Sequence, residues 1–380
     1  MEFLIFCIIA IVVSEIYVWF AFIRHLGTVW KLFYWIPYAS MLATIIWMSY
    51  SNITVWKIYT LTGLMIAFFA PFGAFAVSAF IGQCLGRKWK AAERAGFTIG
   101  VILGIIVFIS GVYGLTKGWR KVVVREIPVA FSNLPASFDG YRIAHISDLH
   151  IGTYSYSHGT VTEIVDRINA AGPDIVLFTG DMINIIPEEF GPFISEIKRI
   201  NAPDGIYSVM GNHDYCGYAR FDTTEEQQEA VERLQKMERK AGMKLLLNEN
   251  AVISNGTDSI AVVGVEYVGQ PQFPAVGDIV KASDGLPEGI FKILMSHDPT
   301  HWHYRIKEDS RFSLTLSGHT HAMQCRIGRL SPSMFLFDEW GGLYSGKNNR
   351  LYVNTGTGGN IPFRIGAWPE IDIIELRKCD

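Results

Sequence analysis

Long apolar stretches occupy the first third of the 380-residue chain, and short apolar runs separated by polar loops occupy the rest. Four stretches are long enough to cross a hydrocarbon core of about 30 Å; they lie near residues 3–23, 32–50, 61–85 and 97–115. Tryptophan and tyrosine cluster near the ends of the second stretch, as in an interfacial belt. The pattern predicts about four transmembrane helices in an all-α membrane region over residues 1–120, and a separate domain over residues 121–380.

The second part alternates between strand-like and helix-like patterns, which predicts an α/β domain. Residues 121–140 read as a connector. Helices are expected near 160–171, 188–200 and 223–241, the last with Thr223 and Glu226 at capping-box spacing. Strands are expected at 141–147, 174–181, 205–214, 291–298, 313–321, 351–359 and 370–376.

Charge divides the chain at the same point. Residues 1–120 carry a net charge of +6 and residues 121–380 carry −9. The acidic second part has no basic stripe with interleaved aromatic residues, which argues against a nucleic-acid partner. Lys and Arg near the predicted spans are almost evenly divided between the two sides, so the orientation in the membrane is left open. Glu15, inside the first span, is either functional or a hydrogen-bonded carboxyl facing the helix bundle.

Polar residues of one chemical kind follow five separate predicted strands. Ligands of α/β proteins bind beyond the carboxyl ends of such strands. A set of imidazole and carboxylate groups without thiolate suits Mn, Zn, Fe, Co or Ni. The number of such residues here is too large for one ion. Two ions about 3.5–4 Å apart are a common device for hydrolysing phosphate esters. The residues are Asp148, His150, Asp181, Asn212, His213, His297, His319 and His321.

Five motifs give the second part a family resemblance. They are Asp148-Leu149-His150, Gly180-Asp181-Met182-Ile183-Asn184, Gly211-Asn212-His213-Asp214, His297 and Gly318-His319-Thr320-His321. Their order over residues 140–376 resembles the calcineurin-like metallophosphoesterase superfamily, and the flanking sequence resembles its bacterial membrane-associated branch with N-terminal transmembrane helices. The resemblance implies a four-layer α/β/β/α sandwich.

The same resemblance implies a role for each motif residue. Asp148, His150, Asp181 and His321 would hold one divalent ion. Asp181, Asn212, His297 and His319 would hold the second, with Asp181 bridging. His213 would contact the phosphate and stabilise or protonate the leaving oxygen, and Asp214 would orient His213. Arg364 either reaches a phosphate or forms a surface ion pair.

The membrane region favours a lipid-linked or membrane-proximal phosphate substrate and contact with membrane lipids. The expected location is the bacterial inner membrane, as a multi-pass protein, with the side of the catalytic domain undetermined and no protein partner evident. An alternative is hydrolysis of UDP-2,3-diacylglucosamine in lipid A synthesis, which some members of the branch perform. A second alternative is a non-catalytic membrane sensor or scaffold.

Overall fold

The computed structural model describes residues 2–50, 54–269 and 276–379, with side chains for residue 9 and from residue 11 onward. The chain forms two compact units, Met1–Lys117 and Gly118–Asp380.

The first unit is helical. Its helices are α1 (Glu2–Val18, continued by a π-helical turn Trp19–Ile23), α2 (Thr28–Tyr50), α3 (Val55–Leu64, continued by a π-helical turn Met65–Phe69), α4 (Ala70–Gly86) and α5 (Lys90–Thr116). Among the described residues, three helices are long and apolar enough to cross a membrane: Thr28–Tyr50, Val55–Gly86 and Lys90–Arg120. They correspond to the second, third and fourth predicted spans. The first predicted span is also helical. Its apolar part, Ile11–Ile23, is shorter than these three helices, so a fourth crossing stays a prediction.

Glu15 lies inside this helical unit, with 6% of its surface exposed. The hydroxyl groups of Tyr34 and Tyr38 both donate to its Oε2 atom, Tyr34 at 3.0 Å. The structure therefore shows the bundle-facing, hydrogen-bonded carboxyl that was one of the two alternatives.

The second unit contains two six-stranded sheets. The first has the order β1-β12-β2-β3-β4-β5 and the second β10-β11-β9-β8-β7-β6. The strands are β1 (Val123–Phe131), β2 (Arg142–Ile146), β3 (Ile175–Phe178), β4 (Ile206–Ser208), β5 (Met243–Leu245), β6 (Glu249–Asn255), β7 (Asp258–Gly264), β8 (Phe291–Met295), β9 (Leu314–Ser317), β10 (Gly342–Ser345), β11 (Arg350–Val353) and β12 (Glu370–Lys378). The helices are α6 (His158–Ala171), α7 (Ile194–Ile197), α8 (Thr224–Lys240), α9 (Ile279–Ala282) and α10 (Pro299–His301).

Three hydrophobic clusters arrange these elements in layers. The central cluster joins the facing sides of the two sheets, for example Ile143 and Leu177 with Ile293 and Leu314. A second cluster packs α6 and α8 on the outer face of the first sheet. A third packs Trp302 and its neighbours on the outer face of the second sheet. The unit is the predicted four-layer α/β/β/α sandwich.

Two segments differ from the sequence predictions. Residues 123–131, interpreted as a connector, form strand β1, which pairs in parallel with β12 at the edge of its sheet. An edge position tolerates Pro128, which has no N–H to give to a second neighbour. The helix expected over 188–200 is reduced to short 3₁₀ turns and the four residues of α7, because Pro192 cannot donate an intrahelical hydrogen bond.

Candidate metal centre

The predicted ligands converge where the two sheets end. Strands β2, β3 and β4 run parallel in one sheet, and β7, β8, β9 and β11 run parallel in the other. Their carboxyl ends therefore deliver the loops that follow them to one rim. Three overlapping groups of side chains there have ligand atoms within 4.8 Å of one another: Asp148 with His150 and His321, His150 with Asp181 and His213, and Asp181 with His297 and His319.

The first group combines one carboxylate and two imidazoles, all buried. The Nε2 atom of His321 lies 3.3 Å from Oδ1 of Asp148 and 3.1 Å from Nε2 of His150. His150 Nε2 lies 4.0 Å from the same Asp148 oxygen. Three donor atoms thus face a common point.

The third group, Asp181 with His297 and His319, gains an amide oxygen from Asn212. His319 Nδ1 lies 2.9 Å from Oδ1 of Asn212 and 3.3 Å from Nε2 of His297. His297 Nε2 lies 3.2 Å from Oδ2 of Asp181. All four residues were predicted as ligands of one ion, and the structure brings them together.

Asp181 lies between the first group and the third. Its Oδ2 atom is 3.5 Å from His150 Nε2 on one side and 3.2 Å from His297 Nε2 on the other. Its Oδ1 atom accepts the backbone N–H of His213 at 2.9 Å. This is the position that a bridging carboxylate requires.

The donor set fits divalent cations, as the imidazole hydrogen bonds show. His297 Nδ1 lies 2.7 Å from the carbonyl oxygen of Thr179, and His150 Nδ1 lies 3.0 Å from that of Ile183. A carbonyl only accepts, so each Nδ1 carries a proton, and each Nε2 faces Asp181, where it can hold either a second proton or a metal ion. Lone pairs facing a carboxylate repel it unless a cation lies between them.

The electrostatic potential at His297 also favours a bound cation. Burial disfavours a charged imidazole, but the carboxylates of Asp181 and Asp148 outweigh burial and raise the pKa of His297 to about 10. The negative potential that would hold a proton on His297 also attracts a metal ion.

Backbone strain concentrates at these same residues. Asp148, His150, Asp181, His319 and His321 all have φ between 43° and 72°, in the left-handed region. Non-glycine residues there cost on the order of 1 kcal/mol each, and such strain is typical of functional sites. The close approach also requires glycine at position 318, where a Cβ atom would overlap Ser147 Oγ and Asp148 Oδ2.

His213 lies beside the cluster and is half-buried. Its Nδ1 atom lies 2.6 Å from the carbonyl oxygen of Asn184, and its ring stacks on Tyr218 with centroids 4.3 Å apart. These contacts fix the ring and leave Nε2 as the atom available for proton transfer. The sequence reading missed Tyr218, which lies five residues after His213 in a loop that has no motif.

The contacts of Asp214 point to a role different from the one predicted, which stays a prediction. Its Oδ2 accepts the backbone N–H groups of Asp181 and Gly211, and its Oδ1 accepts those of Met182 and Ile183, at 2.8–3.3 Å. The His213 ring bonds instead to Asn184. Asp214 therefore braces the loop that carries Asp181, because its fully buried carboxylate gathers the N–H groups that this turn leaves unpaired.

The surroundings of Arg364 exclude one of the two alternatives considered for it. It is 1% exposed, so it forms no surface ion pair. Its Nη atoms donate to the carbonyl oxygens of Thr355, Gly358 and Ala367, and one lies 3.4 Å from Nδ1 of His321. A guanidinium held by three carbonyl groups behind His321 is placed to position that imidazole, and its contact with a phosphate stays a prediction.

Asp298 was missed although it follows His297 directly. It is fully buried, and its Oδ2 atom lies 3.5 Å from His319 Nε2 and accepts the Tyr267 hydroxyl at 3.3 Å. A carboxylate behind a ligand imidazole fixes its tautomer and raises its basicity. The signal was the His-Asp pair at 297–298, which repeats the pair at 213–214.

Comparisons with known proteins agree with this geometry. The family model for calcineurin-like phosphoesterase matches residues 141–323. A transmembrane protein with metallophosphoesterase domain from Danio rerio is 30% identical over 313 residues, covering 79% of this chain and 68% of that protein. The uncharacterized metallophosphoesterase YkuE of Bacillus subtilis is 29% identical over 285 residues, covering 71% of this chain and 91% of that protein. The UDP-2,3-diacylglucosamine pyrophosphatase LpxG of Chlamydia trachomatis is 26% identical over 300 residues, covering 63% of this chain and 85% of that protein.

Proposed function

Because the chain belongs to the calcineurin-like phosphoesterase family, and so is a hydrolase of phosphoester bonds, we propose that it acts on a lipid-linked or membrane-proximal substrate. The bond cleaved is a phosphoester or a phosphoanhydride. The observation that supports the proposal is Asp181, whose Oδ2 atom lies 3.5 Å from His150 Nε2 on one side and 3.2 Å from His297 Nε2 on the other, in a chain with three candidate membrane spans.

The family uses two metal ions, and seven residues of this chain are suited to hold them. We assign one ion to Asp148, His150, Asp181 and His321, and the other to Asp181, Asn212, His297 and His319. Two divalent ions bound there supply an activated water molecule near neutral pH and neutralise charge on the phosphoryl oxygens. Mn, Zn, Fe, Co and Ni all suit this nitrogen and oxygen set.

His213 is assigned to the leaving group. Its Nδ1 proton is held by Asn184 at 2.6 Å, so the proton that moves is on Nε2. A positioned acid of this kind contributes on the order of 10²- to 10⁴-fold to a rate. Tyr218, stacked on the ring, keeps the imidazole plane in place.

The membrane helices support the choice of substrate class. Three apolar helices in one unit keep the catalytic unit of the same chain close to a bilayer, which raises its effective concentration for lipid-borne phosphate. We propose a multi-pass protein of the bacterial inner membrane. Its resemblance to the chlamydial pyrophosphatase makes UDP-2,3-diacylglucosamine the second candidate substrate, which would place the catalytic unit in the cytoplasm.

A sensor or scaffold without activity is less well supported, because the ligand set is intact. Full-length protein, purified and analysed for metal, tests the proposal on an aryl phosphomonoester, an aryl phosphodiester and UDP-2,3-diacylglucosamine, with and without Mn²⁺. We expect about two ions per chain and metal-dependent hydrolysis. His158→Ala is the matched control, because this exposed imidazole stacks on Phe193 outside the cluster. Metal-loaded protein inactive on every ester would refute the enzyme assignment.

A further inference from the structure

The segment that follows the last metal-ligand motif exposes an unusual number of large apolar side chains. We call residues 322–337 the apolar loop. Five of its side chains are between 46% and 74% exposed: Ile327, Leu330, Met334, Phe335 and Leu336. Contiguous exposed apolar surface on a folded unit marks an interaction site.

The side of the loop that faces the protein is polar and fixed. Ser331 and Ser333 are almost fully buried. The Ser331 hydroxyl donates to the carbonyl oxygen of Ala322 at 2.7 Å, and the Ser333 hydroxyl donates to that of Thr320 at 3.3 Å. Because the polar groups are bonded inward, the loop holds its apolar side chains outward.

A tight turn adds to the same surface. Ile327 and Leu330 exchange both backbone hydrogen bonds, at 2.9 and 3.0 Å, across a turn whose Gly328 has a φ of 61°. Residues opposite each other in an antiparallel pair project to the same face. Their side chains, 74% and 63% exposed, therefore form one apolar tip.

The charge of the loop is opposite to that of its unit. Arg326 and Arg329 are its only charged residues, so it carries +2 on a part of the chain that carries −9. Apolar side chains interleaved with arginine suit the boundary between headgroups and acyl chains of an anionic bilayer. An apolar protein partner would not require the two arginines, and the same chain has three helices long and apolar enough to cross a membrane.

We propose that the apolar loop docks on the surface of an anionic lipid bilayer. Docking has a consequence for the metal centre, because the loop ends beside one of its imidazole groups. Phe337 ends the loop, and its ring lies 5.7 Å from the His319 ring, edge to face. Docking therefore holds the rim of the metal centre at the lipid surface. The proposal is independent of the hydrolysis proposed above, since lipid contact can be measured without turnover.

Photo-crosslinking tests the contact directly. Full-length protein carries benzoylphenylalanine in place of Phe335, or in place of Val252 as the control, and is placed in nanodiscs containing phosphatidylglycerol. Val252 is 50% exposed on β6, the edge strand of the second sheet. Because insertion at the acyl boundary buries the side chain, we expect roughly tenfold more lipid adduct from position 335 than from position 252. Unfolding temperatures of both variants check that they fold.

A second experiment tests the contribution of the two arginine charges to docking. Replacing both arginines (R326Q with R329Q) in the position-335 variant should lower the lipid adduct roughly tenfold, since each arginine near an anionic surface contributes several-fold. Equal lipid adducts at 335 and 252, adducts at 335 only to a second copy of the chain, or no effect of the double substitution would overturn the proposal.

Discussion

The substitution Asp214→Asn distinguishes two roles of this carboxylate. One, predicted from the sequence, is to orient His213; the other, indicated by the structure, is to brace the loop that carries Asp181. In the structure Asp214 accepts four backbone N–H groups, two on each oxygen, from Asp181, Gly211, Met182 and Ile183. An asparagine side chain keeps one accepting oxygen and turns an NH₂ group towards the other pair. Two buried N–H groups are then unpaired, at about 1–3 kcal/mol each.

The expected loss is therefore about 2–6 kcal/mol, a large part of the 5–15 kcal/mol that holds a typical domain together. Because the affected loop carries the bridging Asp181, the apparent affinity for Mn²⁺ should fall by roughly 10- to 100-fold. Calorimetric titration of metal-stripped full-length protein measures this affinity, and thermal unfolding measures the stability.

A double-substitution cycle with His213→Ala completes the test. If Asp214 acts through the Asp181 loop, its substitution still weakens Mn²⁺ binding when His213 is absent, and the two free-energy changes add within about 0.5 kcal/mol. Normal metal affinity in Asp214→Asn, together with a kcat loss that disappears in the His213→Ala background, would refute the structural reading. It would restore the role predicted from the sequence.

Four further predictions concern the same centre. Asp181→Ala should lose both ions in elemental analysis, and two retained ions would contradict its bridging position. His213→Ala should keep its metal content while kcat falls about 10²- to 10⁴-fold; loss of metal together with activity would instead make His213 a ligand. Gly318→Ala should weaken metal binding, because the new Cβ displaces Asp148, whereas the matched control Gly159→Ala, which has open space around it, should bind normally. Tyr218→Ala should lower kcat by roughly 2- to 12-fold, the equivalent of about 0.5–1.5 kcal/mol of ring stacking, with Tyr218→Phe close to the parent; equal losses in both variants would show that the hydroxyl matters instead of the stacked ring.

The convergence of the proposed ligands was predictable because parallel strands end at one rim. Asp148, Asp181 and His297 each follow a short apolar strand, and the strand pattern can be read without knowing the fold. The partners behind the ligands were not predictable. Asp298 and Tyr218 belong to loops whose course depends on packing, and the four N–H groups that Asp214 accepts come from two different loops.

Two segments of the fold were predicted wrongly, for different reasons. Strand β1 alternates weakly and contains Pro128, so its sequence resembles a connector; what makes it a strand is its parallel partner β12, which comes almost 250 residues later in the chain. Residues 188–200 show an apolar period that suits a helix, but Pro192 permits only short turns there. In the first case a local pattern lost to a strand far along the chain, and in the second it lost to a single proline inside the segment.

The strain at the centre explains why so much of the structure is devoted to bracing it. Five of the proposed ligand residues lie in the left-handed region, at about 1–2 kcal/mol each, so their backbone alone costs about 5–10 kcal/mol. Asp148 accepts the His319 N–H group with both oxygens, Asp214 accepts four N–H groups, and Arg364 binds three carbonyl groups behind His321. These bonds hold the turns in place whether or not metal is bound. Repulsion between an unprotonated Nε2 atom and Asp181 is a separate cost, which a proton or a metal ion relieves. Metal binding should therefore stabilise the fold without having to form the turns, as expected of a site whose ligands are positioned in advance.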